Sequence, residues 1–271
     1  MDLVTVVFEA ERSLLKTQAQ SIDLYANDIE NIRVVINDDI TSDIDPSWWG
    51  RYRDRVKFSH YTDYQIPHMD CGWDQQQISK LMAAKNSKGW NLILDAKTWF
   101  VKEFSPDTFL ENKKPALRTI DIQPDFDTGW RFLLNMWGIN YTDQVIGPGG
   151  VPFLMDSRIL EEIEKDLQQQ GWKNLVDFFC RHVMHPYFIT EFNLYSAYVL
   201  KKYHCYSNAI TGNQTFEPVN IAVGQESEFE RLFQDMQDFA TLTVSIHRNC
   251  QLTDEQHQRW SQWLKTKKLN I

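Results

Sequence analysis

Asp95 and Lys97 follow a run of mainly apolar residues within the stretch 90–100. We interpret this stretch as one buried strand with charges near its carboxyl end. Side chains alternate along a strand, so Asp95 and Lys97 share one face, while Leu94 and Ala96 share the other. A carboxylate beside an ammonium group at this position could grip an anionic ligand. A plain ion pair at the rim of a sheet is the alternative, and the stretch by itself favours that alternative.

Two further apolar runs also end in polar or charged residues. They are followed by Asn37-Asp38 and His247-Arg248. In open α/β sheets, ligands bind outside the carboxyl ends of the strands, so these groups are candidates for one shared site. An Arg beside a His suits a phosphate group, although a His at this position is commonly structural.

Glu191 stands at the start of a predicted helix, with Thr190 as the predicted N-cap. The helix dipole favours an ionised carboxylate in the first turn, as a general base requires. Glu191, Tyr195 and Tyr198 share one face of this helix. The alternative is that Glu191 only stabilises the helix end, and without further evidence that interpretation is the better one.

The stretch 146–153 holds three Gly and two Pro residues, among them Gly149 and Gly150. This composition predicts an irregular loop that can approach a ligand closely. A plain turn between two subdomains explains the same residues equally well.

The elements that must position these residues alternate between strand and helix over the first hundred residues. Apolar runs predict strands at 3–8, 32–36, 55–60 and 90–100, and helical spacing predicts helices at 9–25 and 75–85. On the second helix, Gln76 and Lys80 are four residues apart and share a polar face. The alternation predicts an α/β fold with a mostly parallel central sheet and helices on both of its faces.

The remainder of the chain is less regular. Residues 105–126 contain Pro and many charges, which predicts loop or short edge strands. Further on we predict helices at 128–137, 159–170 (capped by Asp156) and 227–239, a strand at 242–246, and a last helix after a capping box at 253–256. We expect a single domain over 1–271, with the alternating strands and helices in 1–104 and the less regular part in 105–271.

Composition excludes several classes of protein. The net charge is -9 and no large basic block is present, which argues against a nucleic-acid polymer as partner. The four Cys residues are widely spaced, so reduced intracellular thiols are expected. His182 and His185 near Cys180 match no standard zinc spacing. No apolar run approaches the roughly 18 residues of a membrane span, and no signal peptide is recognised, so we expect a cytoplasmic protein.

Taken in order, several short motifs resemble those of a known family. They are Gly72-Trp73, Gln75-Gln76, Lys80, Leu94-Asp95-Ala96-Lys97, Thr190-Glu191-Phe192, Leu194-Tyr195 and His247-Arg248. The series resembles glycosyltransferases of the A-type (GT-A) fold, a Rossmann-like fold that binds nucleotide sugars. It is most similar to a poorly characterised group of such enzymes from microbes and their viruses. The resemblance spans nearly the whole chain.

The resemblance implies that 1–104 is the nucleotide-sugar-binding half and 105–271 the acceptor-side half, and it implies roles for individual residues. Donor binding is implied for Phe8, Glu9, Asn37, Asp38, Gln76, Lys80, Asp95, Lys97, His247 and Arg248. The acceptor side is implied for Gly149, Gly150 and Tyr195, and Glu191 is the implied base toward the acceptor hydroxyl. Asp95 stands where this superfamily has the first Asp of its Asp-x-Asp motif, which binds the donor diphosphate through Mn²⁺ or Mg²⁺, and His247 is the second implied metal ligand.

Lys97 departs from the family pattern, because it replaces the second Asp of that motif. Divalent cations prefer several oxygen ligands, and a neighbouring ammonium group opposes their binding. We therefore hypothesise that metal dependence is weak or absent, with Lys80, Lys97 and Arg248 as the cations.

The implied activity is transfer of a sugar from a UDP- or GDP-sugar to a hydroxyl of a glycan acceptor, with inversion if Glu191 is the base. A sugar-nucleotidyltransferase is one alternative, but the residues after the first strand lack its Gly-rich signature. A non-catalytic carbohydrate-binding protein is the other, and it would explain the many aromatic residues.

Overall fold

The computed structural model describes most of the chain: residues 1–38, 44–111, 114–115, 119–121, 124–139, 146–148, 150–183, 186–203, 219–221, 229–230, 233–234, 242–246 and 252–269. Its helices are α1 (Arg12–Tyr25), α2 (Gly72–Lys85), α3 (Pro124–Met136), α4 (Ser157–Gln169), α5 (Leu175–His182), α6 (Glu191–Tyr203) and α7 (Asp254–Thr266). Its strands are β1 (Asp2–Val7), β2 (Asn31–Ile36), β3 (Val56–His60), β4 (Trp90–Asp95), β5 (Thr98–Phe100), β6 (Leu110–Glu111), β7 (Lys114–Pro115), β8 (Thr119–Asp121), β9 (Ile146–Pro148), β10 (Phe153–Asp156), β11 (Val219–Ile221) and β12 (Thr243–Ile246). Short 3₁₀ helices lie at Glu9–Glu11, Pro46–Arg55, Tyr61–Tyr64 and Pro106–Phe109.

Within the described residues, the central sheet has five strands in the order β10-β4-β1-β2-β3. The pairs β4–β1, β1–β2 and β2–β3 are parallel, and only the edge strand β10 runs antiparallel, against β4. The predicted α/β fold with a mostly parallel sheet is therefore confirmed.

Alternation of side chains along the strands creates two apolar faces on this sheet. Leu3, Val34 and Leu92 lie on one face, which packs against the apolar side of α1. The opposite face, with Val6 and Ile93, packs against a layer that includes α2 and α4 to α6. Helices thus cover both faces, as predicted, and Asp95 lies level with Val6 on the face of α2.

The stretch predicted as one strand over 90–100 is two strands, and the prediction is wrong in this respect. β4 ends at Asp95, Ala96 and Lys97 form a turn, and β5 begins at Thr98. β5 pairs with β12 in a separate three-stranded sheet of order β11-β12-β5. Both halves are buried and apolar, and periodicity alone does not reveal such a break.

Other predicted elements are confirmed with shifts at their ends. α2 begins three residues earlier than predicted, and α4 has the predicted cap, since Asp156 accepts a hydrogen bond from the Arg158 N–H. Thr253 caps α7 through the predicted capping box. The stretch 146–153 contains β9 and the start of β10, so it is less irregular than predicted.

One described helix was not predicted. α5 has only eight residues, and Asn174 caps it by accepting a hydrogen bond from the Asp177 N–H. Short helices depend on packing more than on local propensity. Most of the helix predicted at 227–239 lies outside the described residues. In the part of the chain that the structure describes, no helix is both long and apolar enough to cross a bilayer.

Candidate active site

A buried lysine joins two carboxylates beside the carboxyl edge of the central sheet. The Lys80 Nζ lies 2.6 Å from Asp95 Oδ1 and donates a hydrogen bond of 2.9 Å to Glu191 Oε1. Lys97 Nζ lies 3.6 Å from the other Asp95 oxygen. The structure thus brings together four of the residues that the sequence singled out, and we call Lys80, Asp95, Lys97 and Glu191 the charge cluster.

Three elements carry Asp95, Lys80 and Glu191 of the charge cluster. Asp95 is the last residue of β4 and points toward α2, because it lies level with Val6 of the parallel neighbour β1. Lys80 lies two turns into α2, and its Nζ also stands 5.5 Å from the Phe192 ring. Glu191 opens α6, where the Thr190 hydroxyl accepts a hydrogen bond from the Asn193 N–H, as the predicted N-cap requires.

The members of the charge cluster differ sharply in exposure. The side chains of Glu191 and Lys80 are 0% and 3% exposed, whereas those of Asp95 and Lys97 are 17% and 22% exposed. Asp95 and Lys97 therefore form the surface that a ligand can reach. Lys80 and Glu191 lie behind them.

Burial and charge shift the pKa values of three cluster members in different directions. Burial lowers the pKa of Lys80, but the Asp95 and Glu191 charges outweigh it and hold that pKa above its ordinary value. Burial raises the pKa of Asp95, and the ammonium groups of Lys80 and Lys97 outweigh it, so that pKa is lowered. For Glu191 burial prevails over Lys80 and raises the pKa. Asp95 therefore carries its negative charge more readily than Glu191.

Gln18 fixes the turn that carries Lys97, and sequence reasoning missed it. Its buried Nε2 donates to the Asp95 carbonyl at 2.6 Å and to the Thr98 carbonyl at 2.9 Å. These bonds hold both ends of the turn Ala96–Lys97 from the side of α1. The sequence did contain an indication of this role. Gln18 is a polar residue beside Leu15, Ala19 and Ile22 on the apolar side of its helix, where a buried amide needs hydrogen-bond partners.

The ends of β1 and β2 are tied to each other and to α2. The Glu9 N–H donates to both Asp38 carboxylate oxygens at 3.0 Å. The Asn37 side chain donates to the Gly72 carbonyl and accepts from the Ser79 hydroxyl. Asn37 is therefore buried and used by the protein itself, whereas Glu9 is exposed at the same edge.

Phe8 lies against the first turn of α2. A Cβ atom at Gly72 would stand 2.8 Å from Phe8 Cε1, so the absence of a side chain at Gly72 lets the ring approach. Gln76 is buried one turn before Lys80 on the same side of α2. Donor binding by Phe8, Glu9, Asn37, Asp38 and Gln76 stays a prediction.

Tyr195 is fully buried, and its hydroxyl accepts a hydrogen bond from the Asp156 N–H at 2.9 Å. It supports the junction of β10 and α4, and its place on the acceptor side stays a prediction. Gly150 is exposed, and β9, which precedes it, contacts α6. Gly149, His247 and Arg248 lie outside the described residues, and their predicted roles stay predictions.

The charge cluster does not fit a divalent metal ion. Among the described residues, no three His, Cys, Asp or Glu side chains come together as a possible metal site. Each Asp95 oxygen already faces an ammonium group. Two unit charges 4 Å apart near a protein surface repel by about 4 kcal/mol, and a divalent ion doubles that repulsion. Of the two histidines near Cys180, His185 lies outside the described residues, and the buried His182 donates from Nδ1 to the Phe178 carbonyl at 2.7 Å.

Comparison with known structures places the fold among glycosyltransferases. The apo bifunctional glycosyltransferase WbbM superposes with a TM-score of 0.53 and 8% identity, over 90% of this chain and 45% of WbbM. Galactosyltransferase LgtC, in complex with donor and acceptor sugar analogs, superposes with a TM-score of 0.47 and 12% identity, over 96% of this chain and 100% of LgtC. Apo mouse xyloside xylosyltransferase 1 superposes with a TM-score of 0.49 and 11% identity, over 93% of this chain and 100% of that enzyme. No curated protein matches the sequence significantly.

The architecture and the WbbM superposition define the class: this is an α/β protein with the GT-A glycosyltransferase fold. A family model described as a family of unknown function (DUF6492) matches residues 13–245. The chain belongs to that family.

Proposed function

We propose that this protein is a glycosyltransferase that moves a sugar from a nucleoside-diphosphate sugar to a hydroxyl group of a glycan or glycoconjugate. The observation that carries the proposal is the charge cluster, which presents Asp95 and Lys97 at the carboxyl edge of a mostly parallel sheet. Open α/β sheets take their ligands at this edge. The protein would then belong to polysaccharide biosynthesis, with a cytoplasmic nucleotide sugar as one substrate.

In this reaction the acceptor oxygen forms a bond to the anomeric carbon of the sugar. The bond from that carbon to the diphosphate oxygen breaks, and the nucleoside diphosphate leaves with the electron pair. Lys97 is the partly exposed cation of the cluster, and a fixed positive charge near the leaving diphosphate stabilises the charge that develops there. Phe8, Glu9 and Asp38 at the neighbouring strand ends are the proposed contacts of the base and ribose.

The acceptor hydroxyl must lose its proton to a base. Glu191 was predicted for this role, and with it inversion at the anomeric carbon. Its side chain has no exposed surface, and Oε1 accepts from Lys80, so Glu191 meets an acceptor only if the charge cluster opens. The buried position favours a positioning role for Glu191, and the base role and the inversion both stay predictions.

A panel of UDP- and GDP-sugars tests the proposed function. We expect at least one of them to raise the melting temperature and to be hydrolysed slowly, without an acceptor, to free sugar and nucleoside diphosphate. Release of pyrophosphate from a nucleoside triphosphate and a sugar 1-phosphate would instead identify a sugar-nucleotidyltransferase. A glycan-binding protein without transferase activity would show no thermal shift with UDP or GDP. Either result would reject the proposal.

A further inference from the structure

The charge cluster stands where the fold family is expected to bind a divalent metal, and its residues do not fit one. We propose that Lys97, with Lys80 behind it, takes the place of the metal, so that the protein binds the diphosphate of its donor without a divalent cation. This inference rests on the proposed function and names how its site holds the donor.

The two lysines have different tasks in this arrangement. Lys80 is buried and makes its contacts with Asp95 and Glu191, so it neutralises carboxylates and does not reach a ligand. Lys97 contacts Asp95 at 3.6 Å, a longer distance, and keeps part of its surface open to solvent. Lys80 shares its one positive charge between Asp95 and Glu191, and Lys97 is the ammonium group of the cluster that an incoming anion can reach.

The charges of the cluster suit an anionic ligand better than a cation. Two ammonium groups face two carboxylates, so the four side chains together present no excess of negative charge to a cation. A divalent ion would add positive charge beside Lys80 and Lys97. A diphosphate would add negative charge, and a compact ammonium group binds phosphate oxygens as a point charge.

The backbone at Lys97 is fixed before any ligand arrives. Gln18 donates to the carbonyl groups of Asp95 and Thr98, on both sides of the turn. Asp95 then orients the Lys97 side chain. An ammonium group held in place in this way loses little conformational entropy when it binds a diphosphate.

Calorimetric binding of UDP and GDP, in EDTA and in excess Mn²⁺, tests the inference on the wild-type chain. We expect the dissociation constant of the better nucleotide to differ by less than about threefold between the two conditions, which is under one tenfold step of 1.4 kcal/mol. Binding that disappears in EDTA and returns with Mn²⁺ would overturn the inference and leave the proposed function intact. Absence of binding in both conditions would overturn both.

Two variants at position 97 sharpen the test. Lys97→Ala should weaken nucleotide binding by about tenfold or more in EDTA, because it removes the accessible cation. Lys97→Asp restores the Asp-x-Asp pattern, so Mn²⁺ should raise the melting temperature of this variant and improve its nucleotide binding by about tenfold or more. Neither effect of Mn²⁺ is expected for the wild type.

Lys88→Asp is the matched control, because Lys88 lies exposed in the turn before β4 and the variant makes the same change of charge. It should bind nucleotides as the wild type does, with no response to Mn²⁺. Unchanged nucleotide affinity in Lys97→Ala would contradict the inference, as would a Lys97→Asp variant that folds but ignores Mn²⁺.

Discussion

Glu191 and Lys80 form a buried pair whose members depend on each other. Glu191 is the neighbour that, with Asp95, raises the pKa of the Lys80 ammonium above its ordinary value. Removal of Lys80 would leave the Glu191 carboxylate buried without its partner, and a loss of this kind costs about 3–5 kcal/mol. The pair therefore fixes the position of Lys80 beneath Asp95, and Glu191 acts on the site through that lysine.

Glu191→Gln separates a positioning role from that of a base. The amide oxygen of Gln can still accept the Lys80 hydrogen bond, so we expect kcat for sugar transfer to fall by less than about tenfold and the melting temperature to fall modestly. Loss of a general base lowers rates by about 10² to 10⁴-fold. A loss of that size in kcat, in a variant that keeps its stability, would assign the base role to Glu191.

The same variant has an expected pH signature in its stability. Burial raises the pKa of Glu191 in the folded state above the unfolded value of about 4.3. This carboxyl group therefore favours folding below that value, and its contribution is lost as pH rises through the folded-state pKa. Urea unfolding should show the wild type losing its advantage over Glu191→Gln as the pH rises above about 4.3. Glu164→Gln, at the more accessible Lys85 pair, is the control.

Sequence patterns could predict part of the site at the scale of residues. Alternation along one predicted strand placed Asp95 and Lys97 on the same face; the two do lie together, but a turn brings Lys97 there. Capping chemistry placed Glu191 in a first helical turn. The burial of Glu191 was not predictable, because it depends on how α6 packs against α2, over a separation of 111 residues between Lys80 and Glu191. The hydrogen bonds from Gln18 of α1 to the β4–β5 turn were not predictable for the same reason.

At the scale of elements, α3 fixes the segment that leads into α6. Gly129 of α3 lies so close to this segment that a Cβ atom there would stand 2.3 Å from the Tyr187 carbonyl oxygen and 2.8 Å from that of Phe188. Phe188 has a φ of 50°, in the left-handed region that non-glycine residues rarely adopt. Close packing of α3 thus holds a strained residue just before the cap of α6.

Gly129→Ala should destabilise the protein although Ala is the better helix former. Helix propensity alone would favour Ala by about 1 kcal/mol. Contact with backbone oxygens that cannot rotate away should outweigh this gain and lower the free energy of unfolding by about 1–3 kcal/mol. Gly150→Ala is the matched control, since a Cβ atom there meets nothing within 4 Å. Equal melting temperatures for both variants would contradict the close approach of α3.

Element types were predictable where a periodic pattern was long, as in α1, α2 and α4. The break between β4 and β5 was not, because Ala96 is small and buried and interrupts no apolar pattern. The chain leaves the central sheet after β4 because β5 pairs with β12, about 145 positions further along the chain. Partners that distant in sequence leave no local signal.

At the scale of the whole molecule, two sheets meet at Ala96–Lys97. The turn belongs to the five-stranded sheet through β4 and to the three-stranded sheet through β5. A separate apolar cluster supports the second sheet, in which Trp260 of α7 packs against Trp99 at 6.0 Å between ring centroids. Lys97 therefore lies at the junction of the two sheets, and Phe100 of β5 also packs in the core on the α1 face of the central sheet.

Ligand binding at Lys97 should consequently be felt in amide hydrogen exchange far from the ligand. A nucleotide at 100 times its dissociation constant stabilises the bound form by about 2.7 kcal/mol. If opening of the second sheet releases the turn that carries Lys97, the bound nucleotide opposes that opening and slows amide exchange. We therefore expect slower exchange in β5 and β12 but not in the opposite edge strand β3. Slowing confined to residues beside the ligand would show that the two sheets open independently of each other.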